Sequence, residues 1–501
     1  MTDRSVVRPL VLLFLPLLAA CASTPPPPPP APAPFGPIPS PAQLAWHERE
    51  FYAFIHFAPN TFTGREWGYG DESPGVFNPT DFDADQIVST LADAGATGAI
   101  LTCKHHDGFA LWDSAHTTHD VASSPWMDGR GDVVRAIADA CARHGLAFGV
   151  YLSPWDRNHA EYGRPAYVNY FRAQLTELLT NYGPIFEVWF DGANGGDGYY
   201  AGARETRHID RATYYGWPET FELVRTLQPG AVIFSDIGPD VRWVGNEAGF
   251  AGDPCWATYT PPPAERGGVA APGSTDYRQA EHGHRDGAFW MPAEADVSIR
   301  PGWFYHEQEN DRVRSPENLF DLYMKSVGRG AAFLLNVPPD RRGRIHETDA
   351  ASLGAFGRTL RETFGTDLAA GARAVVSNTR TGNAAFAASN VTDSDPQTYW
   401  ATDDQIHAAE VTLELPAART FNIVSLREFL PLGQRIDRWA IDVWRGDGWV
   451  EIGAGEAIGA RRLVWTDPVT TDRVRLRVVD ARGAPAISEF AIHLGPLRPQ
   501  P

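Results

Sequence analysis

Ile185-Phe186-Glu187-Val188-Trp189-Phe190-Asp191-Gly192 is an apolar, strand-like run that stops at a carboxylate followed by glycine. An acid so placed sits at the C-terminal mouth of a strand, where barrel folds keep their chemistry. Working outward from it, strand-like and helix-like segments alternate, the pattern of a parallel sheet wrapped by helices. Strands are expected at residues 51–58, 98–104, 146–152, 185–190 and 231–235, and helices at 84–94, 132–144, 168–181 and 221–227. Shorter apolar runs at 241–244, 297–299 and 332–337 can supply the remaining strands. Eight such steps predict an α/β fold, a (β/α)8 TIM-like barrel over residues 42–366 with long loops on one face. A doubly wound open sheet is the alternative, but no strand leads into the glycine-rich phosphate loop that fold often carries.

From about Ala372 the texture changes to short runs of period-two alternation, as in residues 410–415, 441–444 and 473–479. This predicts a C-terminal β-sandwich over residues 367–498. At the other end, Arg4 and Arg8 precede an apolar run from residue 10 to 20, too short to span a membrane as a mature helix and shaped like a signal peptide. Leu18-Ala19-Ala20-Cys21 resembles a bacterial lipobox, which makes Cys21 the expected lipid anchor and residues 1–20 a removed leader. Residues 21–41 then read as a Pro/Ala-rich tether. Ala22 after the cysteine favours outer-membrane sorting, so the expected location is the bacterial cell envelope, outer membrane or periplasm-facing, with no membrane contact beyond the anchor. Cys103, Cys141 and Cys255 show no metal-ligand spacing and are expected to be unpaired or to form at most one bridge.

The formal charge of −19 argues against nucleic acid as a partner, because an acidic surface repels phosphate backbones. Neutral sugars remain natural ligands. Beside Asp191 stands Glu247, in the turn-rich segment Trp243-Val244-Gly245-Asn246-Glu247-Ala248-Gly249. Two carboxylates facing one pocket are the minimum equipment for cleaving a glycosidic bond. The other strand ends add His56 with Glu66 and Trp67 in its loop, His105 and His106 after Lys104, and Tyr151. Histidine plus Asp at strand ends could ligate zinc in a water-activating hydrolase. However, Trp67, Trp112, Trp189 and Trp303 are mixed among them, and aromatic faces with neutral imidazoles suit a sugar, whose hydroxyls both donate and accept.

Taken together, Phe54-Ile55-His56-Phe57, Glu66-Trp67, Lys104-His105-His106-Asp107-Gly108-Phe109, Trp189-Phe190-Asp191-Gly192 and the segment from Asp240 to Gly249 resemble the α-L-fucosidases of glycoside hydrolase family 29. The Gly245-Asn246-Glu247-Ala248-Gly249 form is similar to the subgroup acting on α-1,3/1,4-linked fucose. The resemblance implies Asp191 as nucleophile, Glu247 as general acid/base, and a sugar pocket built from His56, Glu66, Trp67, His105, His106, Tyr151, Arg242 and Trp303. It implies a retaining exo-enzyme acting on fucosylated oligosaccharides or glycoconjugates without a catalytic cofactor. A broad-specificity or α-1,2-acting fucosidase, a retaining enzyme for another sugar, and a noncatalytic glycan-binding lipoprotein are the alternatives. Two departures stand out: Phe57-Ala58 after the first histidine, and a Gly/Tyr/Arg-rich segment at residues 195–211 that could reshape the leaving-group side. Residues 388–400 with Ser488-Glu489-Phe490 resemble discoidin-like carbohydrate-binding modules, which implies a possible structural calcium at Asp393, Asp395, Thr398 and Glu489.

Overall fold

The computed structural model describes Met1 and residues 30–263, 270–273 and 280–499. Residues 2–20 of the expected leader and Cys21 lie outside these. The chain divides into two compact units, Met1–Ala31 and Pro32–Pro501, and every described helix and strand belongs to the second.

Eight parallel strands close into a barrel: β1 (Phe51–Ile55), β2 (Gly98–Lys104), β3 (Ala147–Leu152), β4 (Ile185–Trp189), β5 (Val232–Ser235), β6 (Val241–Trp243), β7 (Ala293–Ser298) and β8 (Ala332–Asn336). Each is hydrogen-bonded to its neighbours in chain order, and β8 pairs back onto β1. The surrounding helices include α1 (Pro41–His47), α2 (Ala84–Asp93), α3 (Val133–His144), α4 (Pro165–Asn181), α5 (Trp217–Leu227), α6 (Pro316–Lys325) and α7 (Glu347–Phe364). Their starts follow capping chemistry: the Asp83 and Asp132 carboxylates accept the N–H of Gln86 and Arg135, and Gly145 ends α3 at a φ of 73°. The β/α alternation fails after β5, where β6 follows within a five-residue turn and no described helix intervenes before β7.

Period-two alternation sorts the barrel residues into two layers. Phe51, Ala53 and Ile55 of β1 and Phe333 and Leu335 of β8 face the helices, whereas Tyr52, Phe54 and Leu334 fill the interior. That interior is largely aromatic, adding Tyr151, Trp189 and Phe234, and α1 plugs its lower end with Trp46. Most polar groups there are paired. The Trp46 indole donates to Tyr52 Oη at 2.9 Å and to Glu187 Oε2 at 3.0 Å, the Trp189 indole donates to Glu294 Oε1 at 2.8 Å, and Tyr52 donates to Glu294 Oε2. Burial, together with the charge of Glu294, pushes Glu187 well above the ordinary carboxylate range, so this facing acid pair holds a proton.

The C-terminal strands are β9 (Arg373–Val376), β10 (Trp400–Ala401), β11 (Ala409–Glu428), β12 (Ile436–Arg445), β13 (Gly448–Glu456), β14 (Arg462–Ala481) and β15 (Ala486–His493). They pair antiparallel in the order β10-β15-β11-β14-β12-β13, with β9 on β11. β11 and β14 shift register between Glu414 and Arg419. The two halves of β11 therefore serve a sandwich around one core that holds Val411, Leu413, Phe421, Val424 and Leu426. Ile423, on the opposite face of β11, joins the core of the barrel domain. Across this seam Glu50, just ahead of β1, takes Arg427 on Oε1, and Arg461 at 2.7 Å and Tyr323 at 3.0 Å on Oε2. Burial opposes its ionisation, but the Arg461 and Arg427 guanidiniums prevail and bring its pKa down to about 2.

One expectation needs correction. The tether stops short of residue 41, because Phe35 N–H donates to Leu432 O at 3.0 Å, Arg482 lies over the Phe35 ring, and Ser40 caps α1. Around the acids expected to hold calcium, no group of three or more His, Cys, Asp or Glu side chains is found among the described residues. Asp393 accepts the Thr398 hydroxyl and Asp395 N–H of its own turn, while Glu489 is bound to Ser425 and Arg427. Cys103, Cys141 and Cys255 are free and buried.

Candidate active site

The C-terminal ends of the strands converge on a cavity of about 350 Å³ lined by His56, Trp67, His105, His106, Tyr151, Asp191, Glu247 and Trp303. Eight of the ten residues expected from sequence thus meet in one place. Asp191 follows β4 by two residues, and both its oxygens are held. Tyr151, at the end of β3, donates its hydroxyl to Oδ2 at 2.9 Å, and Ala193 N–H donates to Oδ1 at 2.7 Å. The Tyr151 ring in turn stacks on Trp189, whose centroid is 5.3 Å away. A carboxylate gripped at both oxygens presents a fixed direction of attack.

Glu247 stands on the loop after β6, in a turn that needs glycine on both sides. Gly245 and Gly249 have φ of 91° and 79°, and a Cβ on Gly249 would lie 2.7 Å from Val297. Burial of its carboxyl against the pocket wall raises the Glu247 pKa; a hydrogen bond from Trp303 opposes this, and the nearby charges of Asp191 and Glu66 add to it. Such a group keeps its proton to higher pH than an ordinary glutamate.

The histidine tautomers follow from their partners. Asn336 donates its amide to Trp303 O at 2.7 Å and to Ser298 Oγ at 2.9 Å, so its Oδ1, 2.8 Å from His56 Nδ1, is an acceptor and His56 carries its proton on Nδ1. Ser153 spends its hydroxyl proton on Trp155 O at 2.7 Å and therefore accepts from His106 Nδ1, also at 2.7 Å. Burial holds His56 down at about 3 and lowers His106 and His105 as well, so all three rings are neutral at physiological pH. His56 and His106 each retain a bare Nε2 as acceptor. His106 Nε2 lies 3.7 Å from Asp191 Oδ2, too far for a direct hydrogen bond.

Glu66 stands beside the lining, its side chain 41% exposed. Its Oε2 accepts Trp303 N–H at 2.8 Å and its Oε1 pairs with His306, so it fixes the Trp303 loop. Arg242 departs from expectation outright. It faces away from the cavity, fully buried, and donates to Ala280 O at 2.9 Å, to Trp256 O at 3.0 Å and to Met291 O. Strand parity explains this: on the three-residue β6, Val241 and Trp243 face inward and Arg242 must face outward. Trp112 also belongs to the core, donating to Glu177 at 2.8 Å, whereas Trp67 stands 52% exposed at the rim. The segment at residues 195–211 folds as a small hairpin, Gly196–Gly198 with Glu205–Arg207, clamped by Arg157 on Asp197 and by Arg207 over the Tyr200 ring. Its end brings Arg211 to the cavity wall. Sequence reasoning missed Asp236, Trp243 and Asp296, which also line the cavity. For Asp296 the missing signal was again parity, since it shares an inward face of β7 with Glu294 and Ser298.

The α-L-fucosidase family model matches residues 35–363. Alpha-L-fucosidase 1 of Arabidopsis thaliana is 40% identical over 466 residues, covering 92% of this chain and 88% of that one. Among solved structures, a glycoside hydrolase 29 family member from an unknown rumen bacterium is 42% identical with a TM-score of 0.81, covering 94% of this chain and 79% of that one. A Ruminococcus gnavus family 29 fucosidase solved in complex with fucose is 33% identical with a TM-score of 0.83, covering 93% and 97%. On the match of family model, whole-length relatives and fold, this chain belongs to glycoside hydrolase family 29 and is an α-L-fucosidase.

Proposed function

We propose that this enzyme is a retaining exo-α-L-fucosidase that releases terminal α-1,3/1,4-linked fucose by double displacement. The observation that carries the reading is the pairing, in one cavity, of a carboxylate oriented at both oxygens, Asp191, with a second acid of raised pKa, Glu247. Asp191 attacks the anomeric carbon while Glu247 protonates the departing glycosidic oxygen. Glu247, now a carboxylate, then takes a proton from water as that water displaces Asp191 and frees the sugar. His56, His106 and the aromatic walls hold the fucosyl ring, accepting from its hydroxyls and packing its apolar side. Glu66 contributes through the Trp303 loop.

The linkage preference rests on Gly245-Asn246-Glu247-Ala248-Gly249 and is tested with three substrates. A Lewis a or Lewis x trisaccharide should be cleaved with kcat/KM at least about tenfold above 2′-fucosyllactose, equivalent to about 1.4 kcal/mol, because remote binding of the branching sugar is spent on the transition state. An aryl fucoside serves as the linkage-neutral control. Equal or better cleavage of 2′-fucosyllactose overturns the linkage reading and leaves the fucosidase intact. Residues 367–498 are assigned to a discoidin-like module on the motif at residues 388–400. The chain is further assigned to the cell envelope through a lipid on Cys21, which a Cys21→Ala variant should release into the soluble fraction.

A further inference from the structure

Four carboxyls line the cavity, Asp191, Asp236, Glu247 and Asp296, and double displacement uses two. Asp296 stands on β7 between Glu294 and Ser298, 4% exposed, with Oδ1 accepting the Trp243 indole N–H at 2.7 Å. Burial drives its pKa well above the ordinary carboxylate range; the Trp243 hydrogen bond opposes the rise, and the neighbouring acids Glu247 and Glu294 add to it. Ionising a buried carboxyl among other acids costs more than keeping its proton, so the acid form prevails. With Oδ1 taken by an indole donor, that proton belongs on the other oxygen.

Many donors of the cavity wall are already spent. Trp189 gives its N–H to Glu294, Tyr151 its O–H to Asp191, and Trp243 its N–H to Asp296, while Trp303 hydrogen-bonds Glu247. His56 and His106 offer bare nitrogens. A sugar hydroxyl in this space finds acceptors readily, but its oxygen lone pairs need a donor as well.

We propose that Asp296 is a further substrate-binding residue, a neutral carboxylic acid that donates its O–H to one hydroxyl of the fucosyl ring. The assignment rests on the fucosyl ring occupying this cavity. The hydroxyl that accepts from Asp296 is free to donate its own hydrogen to a neighbouring acceptor, so the acid sets the direction of the hydrogen-bond relay around the ring.

The test uses the full-length enzyme with 4-nitrophenyl α-L-fucoside and its 2-, 3- and 4-monodeoxy analogues. Asp296→Asn keeps an acceptor for Trp243 and a donor for the sugar, and its kcat/KM should stay within about threefold of wild type. Asp296→Ala should lose about tenfold or more on the parent fucoside, and the loss should vanish for the one deoxy sugar that lacks the contacted hydroxyl. Melting temperatures establish that each variant is folded. If the alanine variant is not, Asp296→Ser, too short to reach the ring, takes its place in the same series. A loss equal across all deoxy sugars, no loss on the parent, or an Asn variant as impaired as Ala overturns the proposal. Failure of the wild type to cleave the parent fucoside instead overturns the placement of the fucosyl ring.

Discussion

Replacing Glu247 by glutamine isolates the proton this residue supplies. Glutamine is nearly isosteric, and its carbonyl can still accept from Trp303, so the turn between Gly245 and Gly249 and the Trp303 loop should stay in place. What is lost is general acid catalysis, worth about 10²- to 10⁴-fold, or about 2.7–5.4 kcal/mol. The whole loss should fall on a fucosylated oligosaccharide, whose leaving alkoxide must be protonated. An activated aryl fucoside, whose phenolate departs unassisted, should transfer its fucosyl group to Asp191 at close to the wild-type rate, measured by pre-steady-state release of 4-nitrophenol. The pH profile supplies an independent check. The Glu247 pKa is raised, so wild-type kcat/KM should hold above the ordinary glutamate range and fall as pH rises through that raised value. That limb should appear with the oligosaccharide, and the Glu247→Gln variant, which has no proton to lose there, should not show it. Equal losses on both substrates, in a variant with unchanged melting temperature, would refute a proton-donating role and reduce Glu247 to a binding group.

Tyr151→Phe removes one of the two grips on Asp191 and leaves the ring stacked on Trp189, so kcat/KM should fall by about 10- to 150-fold (about 1.5–3 kcal/mol for a hydrogen bond to a charged group) with the fold retained by circular dichroism. At the domain seam, the lowering of Glu50 from 4.5 to about 2 corresponds to about 3 kcal/mol of stability. Because the folded pKa is depressed, this contribution is complete above about pH 4.5 and disappears as pH falls to about 2, so melting temperature should drop across that window. Glu50→Gln should show much of the same loss already at pH 7. Prolonged EDTA should leave turnover of an aryl fucoside unchanged, because the pocket histidines are neutral hydrogen-bonding groups; activity that returns only with zinc would overturn that assignment.

The barrel was legible because most of its strands are apolar runs that end in chemistry, and all eight were anticipated at least in part. The seventh shows where the signal weakens. Glu294 and Asp296 face the barrel interior as protonated or proton-sharing acids, so in sequence they read as solvent-facing polar residues, and only the end of β7 stood out. The pocket was legible to the extent that residues at strand ends converge. Arg242 lay one residue from the cavity-lining Trp243 and on the opposite face, an error that strict alternation would have prevented. Glu66 illustrates a different limit, since its carboxylate holds the Trp303 backbone, and that link is made by chain geometry across 237 residues. The role of the hairpin at residues 196–207 was hidden for a similar reason, because what holds it is Arg157 from another loop.

The central claim is that Asp191 forms the bond to the sugar. Asp191→Gly opens the face from which the carboxylate attacks while leaving Glu247 in place, and turnover of an activated aryl α-L-fucoside should collapse. Adding sodium azide should partly restore it, with proton NMR showing the inverted β-L-fucosyl azide as product. Near-wild-type hydrolysis by this variant, or an azide product that retains the α configuration, would contradict the account.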